Sequence, residues 1–163
     1  MLNFCSVFPE DFEELTRIMT AAFDEDTQIH TDLQHDGPRG YDDGSLIKRF
    51  FENPDFQCQK VLLGQTIVGG YILSFQKDCG MLELLFVDPQ FGGQGFGTQI
   101  WKHIEQNFPE IRCWTLETPA YSVRNHRFYT QKCGFHFLKE SFSPDGNSSY
   151  FFQKESIFPS LSK

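Results

Sequence analysis

An α/β fold, with a mixed and mostly antiparallel sheet of six to seven strands and about four flanking helices, is predicted by three observations. Short apolar runs recur along the chain between segments whose apolar residues repeat every three to four positions. The first half reads largely as strand following strand through tight turns, an antiparallel pattern. Residues 81–98, Met-Leu-Glu-Leu-Leu-Phe-Val-Asp-Pro-Gln-Phe-Gly-Gly-Gln-Gly-Phe-Gly-Thr, read as strand, tight turn, glycine loop and helix start in direct succession. A length of 163 residues with 39% hydrophobic content suits one domain over residues 1–163 and is too short for two ordinary ones.

Taken in order, residues 2–7 alternate as a first strand, and Pro9 opens a helix on which Phe12, Leu15, Ile18, Met19, Ala22 and Phe23 keep helical spacing. Residues 24–44 turn acidic and end in a run of breakers, which predicts a long loop. Ser45 caps a helix through Phe51; residues 59–63 and 66–75 then form two strands joined at Gly64-Gln65. The run 81–87 is apolar apart from Glu83, which predicts a central strand covered on both faces. Ile100, Trp101, Ile104 and Phe108 share one stripe of a helix over 97–108. A short strand at 113–117 is broken by Thr118-Pro119, a helix spans 122–133, and strands at 135–139 and 150–154 close the sheet around a turn at 144–147. The tail after Phe158 is expected to fray.

The net charge of −8 argues against nucleic acid, whose binding needs clustered cations, and is compatible with a cationic partner or with solubility alone. Five cysteines, odd in number and never Cys-x-x-Cys, predict neither a disulfide framework nor zinc, so reduced thiols and a cytoplasmic protein are expected. No apolar stretch approaches ~18 residues, and no basic segment leads into one near Met1, which predicts no membrane span and no export signal. The histidines at 30, 35, 103, 126 and 136 show no metal spacing. Tyr150-Phe151-Phe152 would form an aromatic edge suited to homodimer pairing if exposed.

Glycines at 92, 93, 95 and 97 let the backbone turn sharply and present N–H groups at a helix start, an arrangement that binds phosphate. A dinucleotide fold is the rival reading, but its spacing is Gly-x-Gly-x-x-Gly, whereas these glycines run Gly93-x-Gly95-x-Gly97 behind an antiparallel half. Residues 122–135, Ser-Val-Arg-Asn-His-Arg-Phe-Tyr-Thr-Gln-Lys-Cys-Gly-Phe, read as a helix closed by Gly134 and followed by a strand. Together the two segments resemble the GNAT superfamily of N-acetyltransferases, with Val87, Pro89, the glycine loop, Phe128, Tyr129, Gly134 and Phe135 in matching places. Gly92 departs from the pattern, because that position is usually Gln or Arg.

That resemblance implies acetyl-CoA as cosubstrate, no metal, and acetyl transfer to a primary amine of a small molecule or peptide by direct attack in a ternary complex. It places the pyrophosphate on the amides of Gly92, Gly93, Gln94, Gly95, Phe96, Gly97 and Thr98, and the pantetheine arm along Leu85, Phe86 and Val87, with the Val87 amide toward the thioester oxygen. Tyr129 is the expected general acid, and Glu117 or Glu83 the expected base, unless a water chain serves. Ser122 stands where relatives carry a pantetheine-binding asparagine, with Asn125 and Lys132 as further cofactor contacts. Ser122, Asn125 and Tyr129 fall on one face at helical spacing. Tyr41, Asp42 and Asp43, in the loop after the first helix, are the expected acceptor contacts. A domain that binds acyl-CoA without turnover, as a sensor or regulatory module, is the alternative.

Overall fold

The computed structural model describes residues 1–158 and shows a seven-stranded sheet in the order β1-β2-β3-β4-β5-β7-β6. The strands are β1 (Leu2–Ser6), β2 (Phe56–Leu63), β3 (Thr66–Gln76), β4 (Cys79–Val87), β5 (Cys113–Pro119), β6 (His136–Phe142) and β7 (Ser148–Glu155). Four helices, α1 (Phe12–His30), α2 (Ser45–Glu52), α3 (Phe96–Asn107) and α4 (Val123–Arg127), complete the α/β fold. Every neighbouring pair is antiparallel except β4 and β5. The fraying expected of the tail concerns residues outside those described.

One apolar core packs Leu15, Ile18 and Met19 of α1 and Ile47 of α2 on Ile72, Leu84 and Phe86; a second gathers Ile100, Trp101 and Ile104 of α3 with Leu73, Leu82, Trp114 and Phe135. The central strand is thus covered on both faces, as its apolar run predicts. At its start α1 is preceded by a 3-10 turn at Pro9–Asp11, where the Asp11 carboxylate accepts the Phe8 N–H and the Lys60 ammonium, each at 2.8 Å.

Helix α1 does not stop at Phe23 but continues to His30, so the expected loop loses its first seven residues. Polar residues in that extension are held rather than solvated. The buried Asp24 carboxylate accepts from Tyr41 Oη at 2.6 Å and contacts His35 Nδ1 at 2.8 Å. Gly44, in the left-handed region at φ +86°, is the N-cap of α2 instead of Ser45, whose N–H donates to the Asp43 carboxylate at 2.8 Å. Strand β5 runs through Pro119 rather than breaking at Thr118, and β7 lies between β5 and β6, so residues 150–152 are not an edge and Phe152 is buried.

A β-bulge shapes the middle of the sheet. Ile72 pairs with Leu84 and Leu73 with Leu82, which leaves Glu83 as the extra residue of β4. Leu82 and Leu84 consequently face opposite cores despite their two-residue spacing. The parallel β4–β5 pairing covers only Cys79–Leu82 against Cys113–Leu116, and the strands part beyond it. At the first rung the thiols expected to be reduced are joined, Cys79 to Cys113, with Cα atoms 4.8 Å apart. Register brings them together, and a sequence separation of 34 gave no sign of it.

Candidate active site

Where β4 leaves β5, one side of β4 has no strand beside it. The Asp88 N–H donates to Val68 of β3 at 2.8 Å, so by the alternation of a strand the Val87 N–H points to the opposite, parted edge. The buried Asp88 then starts the loop: its carboxylate accepts from the Gln90 N–H at 3.0 Å and from Arg17 of α1 at 2.9 Å. After a 3-10 turn at Pro89–Phe91, Gly93 and Gly95 take φ of +74° and +77°, a region that favours glycine. Helix α3 begins at Phe96, and its first backbone bond runs from Gln99 N–H to the Gly95 carbonyl at 3.1 Å. The N–H groups of Phe96, Gly97 and Thr98 therefore have no partner within the helix and stand at its positive end.

These groups border a cleft of about 960 Å³. Leu85, Phe86, Val87, Gly92, Gly93, Gly95, Phe96, Gly97 and Thr98 line it from β4, the loop and α3, and Asn125, Tyr129 and Lys132 line it from the opposite side. Gly97 also makes room for a neighbour, since a Cβ there would lie 2.9 Å from the Phe128 ring. Helix α4 passes into a π-helical turn at Phe128–Lys132, marked by the Cys133 N–H bonding back to the Phe128 carbonyl at 3.3 Å. Such turns insert a residue into helical register and occur often at functional sites. Asn125 and Tyr129 share the cleft as their spacing predicts, but Ser122 precedes α4, is fully buried, and donates to Asp26 of α1.

Burial, with a smaller push from Cys133, holds the Tyr129 phenol well above its ordinary pKa, so it stays protonated at neutral pH. His126 is shifted down by burial, and its Nε2 donates to the Pro119 carbonyl at 3.0 Å.

Several residues singled out in the sequence lie off the cleft wall. Glu83, on the bulge, accepts from Ser74 Oγ at 2.6 Å, and the exposed Glu117 accepts from Ser149 Oγ at 2.6 Å. Gln94, Asp42 and Asp43 are exposed, while Tyr41 is buried against Asp24; none of these borders the cleft. In their place the end of α1 supplies Ala22, Phe23, Glu25 and Asp26. The signal for them was the helical spacing of Ala22, Phe23 and Asp26, hidden by reading the acidic segment as loop. Glu25 pairs with Arg124 at 3.1 Å, and Arg124 also lines the cleft.

A parted parallel pair, a helix N-terminus with open amides and a protonated tyrosine in one cleft can hold a phosphorylated thioester and protonate a leaving thiolate. A model of the acetyltransferase (GNAT) family matches residues 13–135. The chain belongs to the GNAT family. Its fold is that of the ribosomal-protein-S18-alanine N-acetyltransferase from Escherichia coli, with a TM-score of 0.75 at 14% identity, covering 100% of this chain and 99% of that one. PaiA N-acetyltransferase from Thermoplasma acidophilum, solved in complex with coenzyme A, matches with a TM-score of 0.71 at 15% identity over 95% of this GNAT chain and 99% of its own. The uncharacterized protein YrkN of Bacillus subtilis is 33% identical over 106 residues, which are 64% of this chain and 56% of YrkN, so the GNAT chain spans little more than half of that relative's length. Among the described residues no helix is long and apolar enough to cross a membrane, and no group of three His, Cys, Asp or Glu side chains is placed to hold a metal.

Proposed function

We propose that this GNAT protein moves the acetyl group of acetyl-CoA to a primary amine by direct attack within a ternary complex. The observation that carries the reading is the meeting, in one cleft, of the α3 N-terminus, the free edge of β4 and Tyr129. The residues fit the cosubstrate on their own terms. A Cβ built at Gly93 or Gly95 meets nothing within 4 Å, so the loop backbone is open to a phosphate, and Lys132 adds a cation from the facing wall. Coenzyme A bound in the PaiA structure agrees with this use of the fold.

In this reading Gly93, Gly95 and the amides of residues 96–98 hold the pyrophosphate, and Leu85 and Val87 pair through their backbone with the pantetheine arm. The Val87 N–H stabilises the charge that grows on the thioester oxygen, a role for which a fixed donor is worth ~10²–10³ in rate. Tyr129 Oη donates its proton to the departing sulfur. Asn125 lies one helical turn before Tyr129 and orients the arm between them.

Calorimetric titration with acetyl-CoA, with NAD and ATP as controls, tests the cosubstrate; release of free thiol in the presence of a primary-amine panel tests the reaction. Selective binding with amine-dependent release supports the reading. Binding without transfer across the panel supports the sensor alternative, and no binding leaves the shared fold alone.

A further inference from the structure

We propose that the Glu25–Arg124 pair is the acceptor site of this cleft and that the acceptor is a free α-amino acid, its ammonium on Glu25 and its carboxylate on Arg124. The assignment rests on the acetyltransferase reading above. Glu25 comes from α1 and Arg124 from α4, 99 residues further along the chain, and both border the cleft. Their ion pair, at 3.1 Å, therefore joins two of its walls. Both side chains are accessible, Arg124 at 51% and Glu25 at 43%. Among the described residues only Nη2 of the guanidinium and Oε2 of the carboxylate are engaged, with each other, which leaves the rest of the fork and Oε1 for a ligand. The main chain of Arg124 is held in place, since its N–H donates to His30 Nε2 at 3.3 Å. Asp26, the neighbouring acid on this wall, is turned inward: it is buried, accepts from Ser122 Oγ and lies 3.1 Å from His30 Nδ1.

The charge pattern selects the ligand. A plain alkylammonium has to compete with Arg124 for Glu25 and meets a like charge beside it, which discriminates against it. A zwitterion meets neither obstacle. It replaces one exposed ion pair, which holds its partners weakly, by two charge-assisted pairs, and its carboxylate matches the planar guanidinium through two parallel hydrogen bonds. The ligand's own charges must be close neighbours, because the protein's are 3.1 Å apart; an α-amino acid carries both on one carbon. A peptide N-terminus and a diamine lack the carboxylate. Ala22 and Phe23, on the same stretch of α1 and on the cleft wall, offer apolar surface to the ligand's side chain. Arg124 and Lys132 stand roughly 12 Å apart along α4 and the turn that continues it, so one cation serves the acceptor and the other the phosphates.

Transfer to this ligand balances. The ammonium gives one proton to solvent, and the freed lone pair forms the C–N bond to the acetyl carbon. The C–S bond breaks as sulfur takes its electron pair and the Tyr129 proton, and the nitrogen's surplus proton restores Tyr129. The products are an N-acetyl amino acid and coenzyme A.

The test follows acetyl-CoA-dependent thiol release with the common L-amino acids, those acetylated then being compared with their own C-terminal amides and decarboxylated amines. The free acids should exceed both analogues in kcat/KM by about 10- to 100-fold, the range of a charge-assisted hydrogen bond. Arg124→Gln should remove that preference, lowering kcat/KM for the free acid by the same factor while the amide holds or rises, because Glu25 is left open to it. A general structural defect lowers both. Glu25→Gln should lower acid and amide alike, and both variants should bind acetyl-CoA within twofold of the unmodified protein by calorimetry. Amides matching the free acids in the unmodified protein, or falling with them in Arg124→Gln, overturn the assignment. So does a loss of acetyl-CoA affinity in Arg124→Gln, which gives that cation to a coenzyme phosphate. An unmodified protein that binds acetyl-CoA yet acetylates no free amino acid overturns the ligand class while sparing the cosubstrate. Failure to bind acetyl-CoA removes the underlying reading, and the assignment with it.

Discussion

Substituting Gly95 by Asp separates the stability of the loop from its affinity for phosphate. Gly95 sits at φ +77° as the N-cap of α3, and an added Cβ meets nothing within 4 Å, so the fold responds only through backbone conformation. The left-handed region costs an L-residue roughly 1–2 kcal/mol, with Asp at the tolerant end. A stiffer unfolded chain returns ~0.4–1 kcal/mol, and an acid at a helix N-terminus another ~0.3–1 kcal/mol. The sum lies within about 1 kcal/mol of zero, a melting shift of no more than roughly 2–4 °C. Binding should respond far more strongly. A carboxylate about 5 Å from one phosphate charge at an effective dielectric of about 20 is repelled by roughly 3 kcal/mol, which weakens coenzyme A by about a hundredfold. Calorimetry at low and high salt, beside thermal melts by circular dichroism, gives both quantities, and salt should recover part of the loss. An affinity unchanged at low salt, with the fold intact, refutes the phosphate cradle.

Three further expectations follow from other parts of the molecule. Tyr129→Phe should lower kcat by ~10²-fold, the lower range of a general-acid effect, while leaving acetyl-CoA affinity and melting temperature nearly unchanged; stopped assays and calorimetry decide it. Burial lowers the pKa of both His103 and His126, so below about pH 6.5 the unfolded chain binds more protons than the folded one, and stability falls as the pH drops. Melts between neutral and mildly acid pH should show that slope, and a His103→Gln, His126→Gln variant should flatten it. Of five cysteines, three are free, so thiol counting on unfolded, unreduced protein should give three, and reduction should give five. Closing a chain segment of 34 residues predicts that reduction destabilises the fold by about 3–4 kcal/mol, read by denaturant titration.

The sheet and helices were legible because their apolar periodicities are strong. The loop over residues 92–97 was legible as a loop because glycine at that density interrupts regular structure before a helix starts. Less visible was the C-terminal half of α1. Asp24, Asp26 and Thr27 look like solvent-facing loop residues until tertiary partners such as Tyr41 and Ser122 bury them. Glu83 reads as an acid interrupting a strand, yet its main consequence is geometric: as the bulged residue it exchanges the faces of its neighbours. Pairings between distant segments, such as Cys79 with Cys113, follow from parallel register, which no local pattern states. Ser122 kept its position but not its expected partner, because α1 reaches across to occupy it.

The short parallel ladder between β4 and β5 also bears on how the protein comes apart. The β5, β7 and β6 group joins the rest of the sheet through four residue pairs and one sulfur link, while its own antiparallel pairings are longer. Sub-global opening should therefore begin at this seam, with the two halves behaving as separate cooperative units in native-state hydrogen exchange. A ligand whose amides pair with the free edge of β4 would act as a substitute strand across the seam. Binding would then merge the two units into one, so that saturation slows exchange in β5 and β7 as well as at the residues touched.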